Sequence, residues 1–326
     1  MKALVKPLVV FSLCAWVASA YAADMIVGGD ATYVVEKNDN LYLIGAKEGV
    51  YWKTIARDNG LDMRQAPAQG AVLRVNTRRI VPKIVDDGII INIPDRTLYF
   101  FRNGKVSFYP VGLGLITKTK TADWRTPTGK FSVVGKRKDP TWYVPESIQM
   151  ENAMKGKDIE ETVPPGPDNP LGKYAIETSI PATLIHATIW PGTVYRYMSH
   201  GCIRMLPEHM EELYPLVNTK TKGEIIYDPV KLAIANDGKV YLEVRTDVYK
   251  KCTSLKEQVS KVIRDRGVSD RVDWLKINKL IRDESGVAED VTLTETAQIK
   301  KPVSRERVGF AQRIVQFFKS HFRRSI

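Results

Sequence analysis

The stretch from Leu184 to Leu213 constrains this chain most. It reads Leu184-Ile185-His186-Ala187-Thr188-Ile189-Trp190-Pro191, then Tyr197-Met198-Ser199-His200-Gly201-Cys202-Ile203-Arg204-Met205. The first run is apolar and β-rich, so it predicts a strand carrying a histidine. Sixteen residues later a cysteine sits in a Ser-His-Gly-Cys-x-Arg turn, and the run Glu208 to Leu213 that follows has helical spacing. A fold that accommodates this stretch supplies a thiol and an imidazole from two neighbouring elements.

The 326 residues are enough for two or more domains with their own cores. The formal charge of +12 is uneven: from Lys300 onward eight Lys or Arg face the single acid Glu306. The middle of the chain is therefore nearly neutral, and the charge gives no reason to expect a nucleic-acid partner. Lys2 and Lys6 precede an apolar run from Leu8 to Val17, and Ala18-Ser19-Ala20 or Ala20-Tyr21-Ala22 offers a small-x-small cleavage site. This is the pattern of a signal peptide over residues 1–22, and the run is shorter than the ~20 residues a membrane span needs. Export to the periplasm or cell envelope is the expectation. Two cysteines remain after the leader, Cys202 and Cys252. In an oxidising compartment a disulfide is the plain reading of such a pair; the His-Gly neighbours of Cys202 favour a working thiol instead.

Taken in order, residues 32–79 form a small module: strand Thr32 to Val35, two short helices around Leu41 to Ile44 and Trp52 to Ala56, and a returning strand from Gly70 to Val75. After a basic linker closed by Pro82, strands dominate. Asn103-Gly104 between two β-rich runs predicts a tight hairpin, and Thr126-Pro127-Thr128-Gly129 is a second turn. Asp139 to Gly172 lacks periodicity and is rich in Pro and Gly, which suggests a partly ordered flap over the site. Strands are expected at 174–178 and 182–188, a helix at 207–217, closing strands at 225–227 and 240–244, and a helical appendage from 255–264 and 272–281. In the tail, Ala311, Ile314, Val315, Phe318 and Phe322 share one helical face among basic residues, a pattern suited to an anionic membrane surface.

A thiol attacks carbonyls as the thiolate, so it needs a base to carry its proton, a group to orient that base, and N–H donors for the oxyanion. Cys202 supplies the thiol, and His186 or His200 the base. Gly201 lets backbone N–H groups face the substrate, and Arg204 either fixes the turn or holds a carboxylate by its planar fork. Trp190, Tyr195, Arg196, Tyr197 and Ser199 lie between base and nucleophile and are candidates for a substrate groove. No metal site is expected, since there is no Cys-x-x-Cys, no His-Glu-x-x-His and only four histidines, and no cofactor is called for.

The run Ser199 to Arg204, with Ile185-His186, Pro191, Leu213-Tyr214 and Thr126-Pro127-Thr128-Gly129-Lys130-Phe131, resembles the L,D-transpeptidases with a YkuD-type catalytic domain, over roughly residues 84–228. Ala187 stands where that family usually has Gly. The resemblance implies Cys202 as nucleophile, His186 as base oriented by the carbonyl of Ala187, His200 and Gly201 shaping the oxyanion turn, and Arg204 supporting it. It implies attack on the position-three carbonyl of a peptidoglycan tetrapeptide stem, release of D-alanine, and transfer to an amine, giving a 3→3 crosslink or a link to an envelope-protein lysine. Carbapenems would acylate the cysteine. Residues 32–79 resemble a LysM glycan-binding module through Tyr33, Val35, Asp39, Leu41, Ile44, Gly49, Ile55, Asn59, Leu61, Gly70 and Leu73, with Asn38, Asn40 and Gly45 as departures. The expected fold is α+β: a mainly β catalytic domain of YkuD-like β-sandwich form, a small βααβ LysM-like domain, closing strands with a helical appendage over 229–292, and the basic tail at 300–326. The competing expectations are a hydrolase of the same fold that cuts a wall–protein link, and a peptidoglycan-binding protein without catalysis.

Overall fold

The computed structural model describes residues 24–116 and 123–294. The signal peptide expected at 1–22 and the basic amphipathic tail at 300–326 lie outside these residues.

The largest element is a nine-stranded mixed sheet. Its strands run, neighbour by neighbour, Tyr197–Ser199, Lys105–Gly114, Ile203–Met205, Leu184–Ala187, Tyr174–Thr178, Gly129–Lys138, Lys222–Ile226, Gly88–Asn92 and Thr97–Arg102. The sheet closes into a barrel, where the sequence suggests a sandwich. The reason lies in the ten-residue strand Lys105–Gly114: its first half pairs with Thr97–Arg102, and its second half pairs with Ile203–Met205 and Tyr197–Ser199. One long strand thus joins both ends of the sheet, and closure removes exposed edges. At the hairpin, Asn103 and Gly104 take φ 51° and 70° between the paired Arg102 and Lys105, the left-handed geometry this dipeptide tolerates.

Both faces of the sheet are covered. Ile89, Ile91 and Leu98 alternate into the barrel core with Val111, Ile176 and Ile203. The residues between them, Ile90, Tyr99 and Phe101, pack with Val81 on the outside. This explains why Gly88–Asn92 is buried throughout its length.

Before the barrel, strands Asp30–Val34 and Val72–Asn76 pair antiparallel, and helices α1 (Leu41–Glu48) and α2 (Trp52–Asp58) cover them around Ile44, Ile55 and Leu73. Asn40 caps α1 by accepting from the N–H groups of Tyr42 and Leu43, both at 3.0 Å. This unit is tied to the rest by buried Arg79, which donates to Thr97 Oγ1 and to the Gly49 carbonyl, each at 3.0 Å. Ala46 of α1 packs on Val194 and Leu206, which bracket the cysteine turn.

The segment 139–172 holds helix α3 (Glu146–Met154) and a two-stranded ladder between Trp142–Tyr143 and Thr162–Val163. Asn169 Nδ2 donates to the carbonyls of Pro140, Val163 and Pro164 and gathers the segment's two ends. After the barrel strand Ile203–Met205, helix α4 (Pro207–Leu213) is shorter than the 207–217 expected. The C-terminal part also departs from expectation. Lys222–Ile226 belongs to the barrel, whereas Val240–Val244 pairs with Val230–Ile234, a strand the sequence did not suggest, and with Glu289–Asp290. Helices α5 (Leu255–Asp265) and α6 (Trp274–Asp283) pack on this second sheet through Val259, Ile263, Ile277 and Leu280.

Candidate active site

Three short strands of the barrel build the site. Leu184–Ala187 and Ile203–Met205 run parallel, with His186 paired to Arg204. A histidine and the residue two beyond the cysteine are thereby neighbours on adjacent strands. Tyr197–Ser199 enters the turn from the other side. Ser199 Oγ accepts from the Gly201 N–H at 3.2 Å and donates to the Cys202 carbonyl at 2.6 Å. Gly201 itself sits at φ 107°, a backbone region that glycine alone occupies readily. Thr126 braces the turn from outside: its hydroxyl donates to the Gly201 carbonyl at 3.1 Å, and its N–H donates to Tyr249 Oη at 3.1 Å.

Cys202, His186 and Arg204 line one cavity of about 330 Å³, together with Ser199, His200 and Trp190. Trp142, Pro145, Ile148 and Asn152 of the segment 139–172 form its other wall. The Cys202 thiol lies half-buried, with Sγ 3.7 Å from the Ala182 carbonyl. Cys202 and Cys252 are both free thiols, so the described residues contain no disulfide between them.

The His186 ring is buried, and its Nδ1 lies 2.5 Å from the Ala187 carbonyl. A carbonyl only accepts, so Nδ1 carries the proton and Nε2 keeps the lone pair. Burial lowers the imidazole pKa to about 4; hydrogen bonding to the backbone of Ala187 and Leu171 opposes this, and the nearby Arg204 charge adds to it. Burial also raises the Cys202 thiol above its ordinary value. At neutral pH the cavity therefore holds an uncharged thiol and an uncharged imidazole at rest. Arg204 makes no ion pair among the described residues, and its guanidinium stands 5.7 Å from the Trp190 ring. Desolvation depresses its pKa, and an anion entering the cavity would offset that burial.

His200 has a different setting. Its Nε2 lies 2.8 Å from Glu151 Oε2 on α3, and Trp124 stands edge-on to its ring at 4.4 Å. It fastens α3 to the cysteine turn. Gly201 borders a second cavity of about 450 Å³ lined by Arg125, Thr128, Thr183, Tyr249 and Lys251, and His200 and Ala182 border both. Ala187 lies buried behind the site, and its methyl occupies the space in front of Gly172.

The expected groove residues divide. Trp190 and Ser199 face the thiol cavity, but Tyr195, Arg196 and Tyr197 line a separate one. The left-handed backbone at Tyr195 (φ 59°) and a bulge between Tyr197 and Ser199 turn that segment away from the sulfur. Trp142, Ile148, Glu151 and Tyr249 carry no motif in the sequence that would have marked them.

A parallel strand pair of a β-barrel that brings an imidazole and a Ser-His-Gly-Cys-x-Arg turn to one cavity defines a thiol-dependent acyl-transfer site. Comparison with known proteins agrees with that class. Residues 86–230 match the L,D-transpeptidase catalytic domain family, YkuD. The chain is 31% identical over 236 residues to the probable L,D-transpeptidase YcfS of Escherichia coli (strain K12), covering 71% of this chain and 72% of that one. It is 28% identical over 278 residues to the probable L,D-transpeptidase ErfK/SrfK of Salmonella typhimurium, covering 82% and 88%. Among solved structures, the catalytic domain from an E. faecium L,D-transpeptidase aligns over 44% of this chain and 100% of that one, at 20% identity and a TM-score of 0.31. The chain belongs to the YkuD family of L,D-transpeptidases: it is a cysteine-dependent acyltransferase that acts on peptidoglycan.

Proposed function

We propose that Cys202 is the nucleophile and His186 its general base, and that they act on the position-three carbonyl of a tetrapeptide stem. One observation carries this reading: thiol and imidazole open on the same cavity, while Nδ1 is held by the Ala187 carbonyl so that Nε2 is the basic face. His186 takes the thiol proton as sulfur attacks the carbonyl. The Gly201 N–H is already donated to Ser199 Oγ, which leaves the N–H groups of His200 and Cys202 to face the oxyanion. The imidazolium then protonates the amine of D-alanine, which departs and leaves a thioester. An acceptor amine attacks that thioester, its proton returns through His186, and the thiol is restored. Arg204, a cation in the cavity wall with no ion-pair partner among the described residues, holds a stem carboxylate.

The two cavities meeting at His200 and Ala182 suit a reaction with two substrates, one reaching the sulfur from each side. A 3→3 crosslink or an envelope-protein lysine both fit an amine acceptor. We read residues 32–79 as a LysM-like module that holds glycan, 84–228 as the catalytic domain, and 229–292 as a supporting unit. The βααβ order supports the first of these. Asn38, which departs from the Gly usual in that family, holds a left-handed backbone (φ 68°) that asparagine tolerates. The leader-like residues 1–22 support export to the periplasm, and the tail at 300–326 suits contact with an anionic membrane surface.

The test is muropeptide analysis of walls incubated with the mature protein. Crosslinked dimers that depend on Cys202 and release D-alanine are expected. Stem shortening without dimers or an acceptor adduct, even with a lysine donor supplied, would contradict transfer to an amine.

A further inference from the structure

A cavity of about 340 Å³ lies where the N-terminal module, the barrel and the C-terminal unit meet. Tyr42, Tyr51 and Trp52 wall it from α1 and α2, and Tyr195 and Tyr197 from the barrel. Three guanidinium groups reach it, from Arg96, Arg196 and Arg245. Arg245 is already neutralised: its Nε lies 2.7 Å from Glu243 and 3.2 Å from Asp95, and its Nη1 donates to Tyr195 Oη at 2.8 Å. Arg96 and Arg196 form no ion pair among the described residues.

Arg96 is held by rings alone. Its guanidinium lies 5.2 Å from the Tyr51 centroid, 4.3 Å from Tyr195 and 5.4 Å from Tyr197, and its buried Nε has no hydrogen-bond partner. Arg196 stacks on Tyr42 at 4.5 Å. The one acid on the wall is Glu284. Stacking on ring faces attracts a cation but leaves its N–H donors unmet. A desolvated guanidinium with an unused N–H is costly unless an acceptor arrives. Arg96 (φ 52°), Tyr195 (φ 59°) and Glu284 (φ 42°) all hold left-handed backbones. Glu284 is the left-handed C-cap of α6, so the strained positions particular to this cavity are Arg96 and Tyr195.

We infer that this cavity binds a carboxylate presented beside an amino-sugar ring of the peptidoglycan, and so holds the polymer while the thiol works. This rests on the reading that the wall is the substrate. The arginines take the carboxylate. The ring surface that the guanidinium groups leave uncovered takes the sugar, whose C–H bonds are drawn to the negative face of a ring. The strand Tyr197–Ser199 links the two functions: Tyr197 and Met198 line this cavity, and Ser199 bonds the Cys202 turn. Polymer seated here would be held one short strand away from the sulfur.

The experiment is calorimetric titration of the mature Cys202→Ala protein, which cannot turn over its ligand. Three probes are used: a disaccharide–tetrapeptide, a peptide-free disaccharide with a free lactyl carboxylate, and a neutral N-acetylglucosamine tetramer. At least one acidic probe is expected to bind, and Arg96→Gln and Arg196→Gln are each expected to weaken it roughly tenfold or more. The neutral tetramer is expected to bind at least about tenfold more weakly. If only the tetrapeptide probe depends on the arginines, the carboxylate comes from the stem; if the peptide-free probe does so too, it comes from the sugar. Arg196 makes no side-chain hydrogen bond among the described residues, so Arg196→Gln serves even if Arg96→Gln fails to fold. Acidic probes that bind the Arg196→Gln variant as tightly as its parent, or no better than the neutral tetramer, overturn the inference. A wild-type protein that forms the Cys202 acyl adduct yet shows no arginine-dependent binding sinks this inference alone. Arginine-dependent binding without any adduct sinks the catalytic reading instead.

Discussion

At the scale of single residues, the site keeps its proton on sulfur until substrate arrives. The His186 pKa of about 4 lies below that of a free imidazole, and the Cys202 thiol lies above its own ordinary value, both through burial. A histidine with a lowered folded pKa adds stability above the unfolded pKa of about 6.5 and loses it as pH falls towards 4, because the unfolded chain then binds more protons. The full difference is worth roughly 3 kcal/mol. His186→Gln is therefore expected to remove part of the acid sensitivity seen in urea midpoints between pH 7 and pH 4.5. It is also expected to slow thiol acylation by about 10²–10⁴-fold. An unchanged acid response, with an unchanged acylation rate, would contradict both roles. The cysteine, the histidine and the arginine were legible in the sequence because they sit within one motif and one strand. Tyr249 was not, because it reaches Thr126 from 123 positions away and no local pattern marks that pairing.

At the scale of elements, α3 shows why the flap region looked patternless. None of its residues is buried, so it has no apolar stripe to read. It is placed by what it meets: Ile148 and Asn152 face the thiol cavity, and Glu151 meets His200 and Lys155. The hydrogen bond from Lys155, with the one from His200, keeps the Glu151 carboxyl below its usual range. Both partners are partly exposed, so the His200–Glu151 contact is worth at most about 1 kcal/mol of stability. Glu151→Gln is expected to leave the melting temperature nearly unchanged while amide exchange over residues 146–154 speeds up. Unaltered exchange would show that the wall residues hold α3 without this latch. The bulge between Tyr197 and Ser199 was equally invisible beforehand, and it is what separates Tyr195, Arg196 and Tyr197 from the sulfur.

At the scale of the molecule, the C-terminal unit is bound to the barrel by buried charge. Lys231 Nζ lies 2.6 Å from Asp95 and 2.9 Å from Glu243, and Glu243 also accepts from the Ile80 N–H at 2.7 Å. Asp95 belongs to the barrel's first hairpin, Lys231 and Glu243 to the second sheet, and Ile80 to a short strand, Arg79–Ile80, paired with Ile26–Val27. Asp95→Ala leaves Lys231 and Arg245 with one carboxylate between them, and is expected to cost about 3–5 kcal/mol in chemical denaturation. A loss below ~1 kcal/mol would mean the units are held by apolar contact alone. Lys231 also explains the strand the sequence did not suggest, since a charge at the second position of Val230–Ile234 leaves only a three-residue apolar run, Leu232 to Ile234. The most direct test is the intact mass of the protein without residues 1–22 after incubation with a carbapenem. One adduct is expected on the wild type, mapped to Cys202, and none on Cys202→Ala. An unmodified wild type, or an adduct that survives the substitution, would contradict Cys202 as the nucleophile.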